Sequence, residues 1–182
     1  MSVEFVNADV VHMDKHTFMW VQQTHFTFDA ACDDGAVLAE LIACDAYDHD
    51  YASPFESNPH YASPFPSSPQ PPNDQIHGRW RLDAVNVERF HPISSDAAVS
   101  VIDKWANEQE WLDSDYRQPD DVMARLEPVY ELLRSGSVLQ LDNPGDDALH
   151  DYGWVTGKMG FHEFVVLDRS SGSLHVIVAS DD

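Results

Sequence analysis

The sequence predicts an α+β fold: an antiparallel or mixed sheet with a C-terminal β-hairpin, and two main helices packed on one face. Three observations point there. Residues 161–167 and 174–179 are β-rich runs separated by the polar stretch Asp168, Arg169, Ser170, Ser171, Gly172 and Ser173, which is a hairpin signal. Val165, Val166, Leu167, Val176, Ile177 and Val178 make both runs apolar on both pleat faces, as expected of strands covered on two sides. Residues 96–112 and 119–135 carry apolar side chains at helical spacing.

From the N-terminus, residues 3–11 read as a first strand and residues 17–28 as a longer second one. Phe18, Trp20, Phe26 and Phe28 share one parity in the second strand, interrupted by Gln22 and Thr24. Sequential strands usually lie side by side, so these two form a hairpin. Asp33 or Asp34 caps a short helix in which Val37, Leu38, Leu41 and Ile42 recur at helical spacing.

The chain then changes character over residues 44–75. Seven of the eleven prolines lie there, and Tyr51-Ala52-Ser53-Pro54-Phe55 recurs as Tyr61-Ala62-Ser63-Pro64-Phe65. Proline removes backbone donors and turns the preceding residue away from helix, so this is an extended loop. Tyr51, Phe55, Tyr61 and Phe65 either pin the loop to the body or present an aromatic binding arm to a partner.

Ordered structure resumes at residues 76–90, read as one strand containing Trp80, Leu82, Val85 and Val87. Ser94, Ser95 or Asp96 caps the first main helix, with Ala98, Ile102 and Trp105 on its core face. Pro119 suits the opening turn of the second, Val122, Leu126, Val129 and Leu133 form its stripe, and Gly136 stops it. Pro128 falls inside the stripe and is expected to kink or divide the helix. Residues 137–141 are a short strand, closed by the Asn143-Pro144-Gly145 turn.

At 182 residues the chain suits one acidic domain, residues 1–182, with a core of its own. Ten Lys and Arg against 32 Asp and Glu give a formal charge of -22. A field of that sign repels nucleic-acid phosphates and anionic membrane surfaces and attracts basic proteins and cations. Three accounts fit it: adaptation to a salty interior, engagement of a basic protein partner, or a compositional bias with no specific use. No apolar run is long enough to span a bilayer. Met1-Ser2-Val3-Glu4 does not open a secretory signal, so a reducing cytoplasm is expected. Cys32 and Cys44 do not make a disulfide framework.

There is no Walker loop, dinucleotide fingerprint, zincin motif, EF-hand or nucleophile elbow. The local candidate for a divalent metal is His12, Asp14 and His16, which face one way if extended. His25, His162 and His175 are the candidates for acid–base chemistry, because each lies in a predicted strand. With Leu167 opposite Leu174, His175 falls beside Val166 and His162 beside Ala179. That separates His162 and His175 by about 13 Å, four strand steps. Arg79 and Arg81 lie in a small basic group suited to holding an anion.

Two functions follow as expectations. The first is an acidic, non-catalytic binding protein of the immunity or inhibitor type, engaging a basic protein partner through its charge and the aromatic loop, with Arg79 and Arg81 as a site for an anionic group. The second is a small enzyme using histidine-based acid–base or metal chemistry in a cleft beneath the 44–75 loop.

Overall fold

A computed structural model describes residues 3–13, 18–49, 51, 75–108, 115–150, 155, 157 and 160–181. The strands are β1 (Glu4–His12), β2 (Met19–Thr27), β3 (Ile76–His77), β4 (Trp80–Arg81), β5 (Phe90–Ile93), β6 (Ser137–Leu141), β7 (His162–Asp168) and β8 (Ser173–Asp181). The helices are α1 (Asp34–Ile42), α2 (Ser95–Asn107) and α3 (Asp120–Arg134). Six strands form one antiparallel sheet in the order β1-β2-β8-β7-β6-β5, and β3 pairs with β4 in a separate two-stranded piece. The architecture is α+β, as the sequence predicts.

The final hairpin has the expected register: Leu167 opposes Leu174, His175 opposes Val166 and His162 opposes Ala179. Its two-sided apolar character has a direct cause, because the sheet is covered on both faces. On one face Phe164, Val166, Ile177 and Ala179 meet Ile102 of α2 and Leu126, Val129 and Leu133 of α3. On the other, Val165, Leu167, Val176 and Val178 meet Val37, Leu38 and Leu41 of α1, together with Tyr47, Tyr51, Trp80 and Leu82 from the connections. Each fully buried Leu, Val or Ile contributes about 1.5–3 kcal/mol, so the alternating faces of β7 and β8 hold both layers.

Local signals set the helix starts. Asp33 Oδ1 accepts from Ala36 N–H at 2.9 Å, and Ser94 Oγ accepts from Ala97 N–H at 3.2 Å. Side-chain caps of this kind are worth about 1 kcal/mol each. Between α2 and α3, Asn107 Oδ1 accepts from Gln118 N–H at 2.7 Å, and Gln118 Nε2 donates to Ala106 O at 2.9 Å. These bonds satisfy polar groups inside an otherwise apolar seam.

Several expectations need correction. Residues 76–90 are not one strand. Gly78, at φ +56, reverses the chain between β3 and β4, and two short 3-10 turns, Leu82–Ala84 and Val87–Arg89, follow before β5. Only β5 joins the main sheet, at an edge where Pro92 is tolerated because the lost donor is not needed by a further strand. α2 ends at Asn107, short of the expected boundary. Of the two outcomes expected at Pro128, division does not occur: α3 is continuous from Asp120 to Arg134.

Candidate functional site

Segment 44–51 leaves α1 through turns closed by Cys44 N–H to Leu41 O and Tyr47 N–H to Cys44 O. It then runs beside β3. His49 N–H donates to Ile76 O at 3.0 Å, Gly78 N–H to His49 O at 2.9 Å, and Ile76 N–H to Asp48 Oδ1 at 2.9 Å. This lacing delivers Tyr47 and His77 to the sheet face where Glu163 projects from β7 beside Val165 and Leu167.

Glu163 and His77 are both at 0 % exposure. Glu163 Oε1 accepts from Tyr47 Oη at 2.6 Å, and Glu163 Oε2 lies 2.7 Å from His77 Nε2. His77 Nδ1 is 2.7 Å from Tyr47 O; a carbonyl only accepts, so Nδ1 carries a proton. The Tyr47 ring stacks on His77 with centroids 3.7 Å apart. Burial, and then the Glu163 carboxylate, push the Tyr47 hydroxyl well above its ordinary range. Every polar atom of the Glu163 carboxyl has a partner, and none faces solvent. The arrangement is a buried clasp joining segment 44–51 and β3 to the sheet.

Phe161 lies against this clasp, with edge contacts to His77, Trp80 and Tyr51. Beyond Phe161 opens a cleft of about 520 Å³ lined by Arg79, Trp80, Gln140, Asp142, Asn143 and His162, among others. Arg79 Nη1 donates to Gly157 O at 2.8 Å, and its guanidinium lies over the Trp80 ring at 4.9 Å. Burial lowers the His162 pKa, so its imidazole is neutral and able to accept a proton near neutral pH.

The third polar constellation is on the helix-covered face, past the end of α3. His25 on β2 and His175 on β8 are direct cross-strand partners, stacked with centroids 4.6 Å apart and an interplanar angle of 14°. They line a pocket of about 400 Å³ with Asn7, Asp9, Gln23 and Leu132. Burial, and then the neighbouring His25 ring, lower the His175 pKa to about 4, against an opposing pull from Asp168.

The structure therefore unites two pairs of sequence candidates and separates the rest. His25 meets His175 and Arg79 lines the same cleft as His162, while the hairpin register keeps His162 away from His175. Arg81 is exposed and pairs with Asp83 at 3.5 Å, outside the cleft. Tyr51 does not stand on the surface: it is buried and stacks on Trp20 at 5.4 Å. Phe55, Tyr61 and Phe65 lie outside the described residues. So do Asp14 and His16, while His12 is half-buried on β1, its pKa lowered by burial and by Arg125. Among the described residues no cluster of three or more His, Cys, Asp or Glu is placed to hold a metal. No described helix is long and apolar enough to cross a membrane.

Sequence reasoning missed the His77–Glu163 pair, which is separated by 86 residues. One signal was present. Glu163 shares its parity with Val165 and Leu167, and an acid at an inward strand position needs a buried partner.

No protein-family model, curated protein or solved structure matches this chain.

Proposed function

We propose that this chain is an acidic, non-catalytic binding protein of the immunity or inhibitor type, acting in the cytoplasm on a basic protein partner. Charge carries the reading. The chain holds 32 acidic residues against 10 Lys and Arg, and part of that positive charge is occupied within the fold. Arg81 pairs with Asp83, Arg125 with Asp121, Arg134 with Glu127 and Arg169 with Asp34. Exposed pairs like these add little stability. What remains is a surface whose field is set by carboxylates, which accelerates encounter with a cation-rich protein and disfavours nucleic acid and anionic lipid.

The test is a pull-down from native lysate at about 0.05 M and about 0.5 M salt, beside an unrelated acidic protein of matched charge. A basic protein retained by this chain and not by the control, with an association rate that falls steeply as salt rises, is the expected result. Identical eluates from both baits would overturn the reading and favour a salt-adapted domain without a dedicated partner.

A second reading, a small enzyme with histidine-based acid–base or metal chemistry, is favoured by one observation. Arg79 and His162 line the same cleft, a guanidinium for an anionic group beside a neutral imidazole. Metal analysis of the untagged protein, repeated on His12→Ala and His16→Ala, decides the divalent-metal branch. Substrate turnover lost in His162→Gln decides the acid–base branch.

A further inference from the structure

The two edges of the main sheet are built differently. β5, at one edge, has four residues and contains Pro92. Short length and proline are two of the devices that stop an edge from recruiting another strand. β1, at the other edge, has nine residues, EFVNADVVH, with neither Lys nor Pro. β2 pairs along one side of it, and no described strand pairs along the other.

Residues 4–9 of β1 are exposed throughout, with Phe5 set edge-on against Phe26 at 6.0 Å between ring centroids. Phe5 is 52 % exposed and Val6 46 %, and Phe18, at the far end of the hairpin, is 46 % exposed. These are the exposed large hydrophobic residues among those described, and all three belong to the β1–β2 hairpin. The β1–β2 register slips between Phe5 and Asn7, leaving Val6 in a bulge. A bulge interrupts a ladder locally, so β1 is regularly paired with β2 from Asn7 to His12, with Phe5 and Val6 as an apolar step at its end; within that stretch Val10 N–H donates to Asp9 Oδ1 at 2.9 Å, a bond an incoming strand would have to replace.

Charge decides what occupies this edge. A second copy of the chain would bring another -22 against the first, and Glu4 and Asp9 on one β1 would meet acids on the other. A lysine- or arginine-bearing segment meets the opposite condition. Main-chain hydrogen bonds would supply affinity without regard to sequence, and alternate side chains would reach Asp9 and the apolar step.

We propose that the outer edge of β1 receives an extended basic segment of the partner protein as a seventh strand, seated on residues 7–12 and anchored at Phe5 and Val6. This rests on the acidic-binder reading and adds the surface and the binding mode.

The test uses the full chain and a synthetic peptide alternating Lys and Val. A second peptide of the same sequence is N-methylated at alternate residues, which keeps charge and side chains but removes donors. Amide hydrogen exchange is followed across β1. The expected result is slowing of β1 amides by the plain peptide, at least about tenfold weaker binding of the methylated one, and a similar loss in Val6→Lys and Asp9→Lys. Asp120→Lys, the same charge change on exposed α3, should weaken binding much less.

Equal binding of the two peptides, or protection that maps away from β1, overturns the edge assignment while leaving the acidic-binder reading intact. That reading stands or falls on the lysate experiment. A dimer in sedimentation that dissociates in Val6→Lys would assign the edge to a second copy and also overturn the proposal.

Discussion

His77 Nε2 lies 2.7 Å from Glu163 Oε2, with neither side chain exposed to solvent. Because His77 Nδ1 donates to Tyr47 O, one proton is shared along the Nε2–Oε2 contact, and the pair is neutral overall wherever that proton sits. Removing one partner strands the other in an apolar core. Glu163→Ala is expected to destabilise the fold by about 3–5 kcal/mol, the usual cost of breaking a buried pair. Tyr47→Phe leaves one carboxylate oxygen without its donor and should cost about 1–3 kcal/mol. Urea denaturation of each variant measures this. Losses below about 0.5 kcal/mol would mean the clasp does not hold segment 44–51 in place.

His175 gives a pH dependence with a definite sign. Its ordinary value is 6.5, and in the folded chain it falls to about 4, first through burial and then through the stacked His25 ring. Between those values the unfolded chain binds a proton that the folded chain does not. Stability from this residue is therefore complete above about 6.5, declines as pH falls toward about 4, and is level below. Imidazole resonances followed by NMR should show His175 titrating near the lower value, and His25→Gln should move it upward. His175→Gln should flatten the stability profile across that window. Titration of His175 at or above 6.5 would sink the assignment.

How far the sequence reached depended on whether a contact left a local trace. The β7–β8 register was legible because a short polar link and apolar parity constrain it together, and each helix start was narrowed to two or three adjacent residues, of which Asp33 and Ser94 are the caps. The insertion of β8 between β2 and β7 has no such trace, since it depends on pairing between segments some 150 residues apart. That pairing alone turns His25 and His175 from two separate candidates into a stacked pair. Arg79 and His162 share a cleft for a similar reason: β3 and β4 fold back at Gly78 and carry Arg79 across to the start of β7. Reading residues 76–90 as one strand hid this, because the apolar residues there serve turns as well as strands.

Gly78 holds that reversal. Its φ of +56 is strained for any side chain, and a Cβ placed there would lie 2.2 Å from Phe161 Cε2. The Phe161 ring makes edge contacts with His77, Trp80 and Tyr51, so it can give way only toward the cleft it lines. Gly78→Ala should therefore combine backbone strain of about 1–2 kcal/mol with an overpacking cost of about 1–3 kcal/mol. Gly172→Ala is the closer backbone control: φ is +68 there, and the added carbon would meet Phe28 O at 3.2 Å and no side chain. It should show the backbone cost with little added crowding. Equal losses in the two variants would mean that Phe161 is not held in place by its neighbours.

Pro128 poses the opposite case, a local penalty overridden by packing. It stands at an exposed position inside α3, where it removes an amide donor and crowds the preceding turn. A break there would withdraw Val129 and Leu133 from the core, and both are at 0 % exposure, as are Val122 and Leu126 on the same stripe. Burial of each is worth about 1.5–3 kcal/mol, so the stripe outweighs the roughly 3 kcal/mol that proline costs in a helix interior. The penalty is still present in the folded state and should be recoverable. Pro128→Ala is expected to stabilise the protein by about 1–3 kcal/mol, the lower figure allowing for the greater freedom the unfolded chain gains when proline is lost. A thermal melt should show the midpoint rising by about 2–4 °C for each kcal/mol. If the midpoint stays level or falls, the proline ring contributes to how α3 seats on the sheet, and the stripe is not what carries the helix past it.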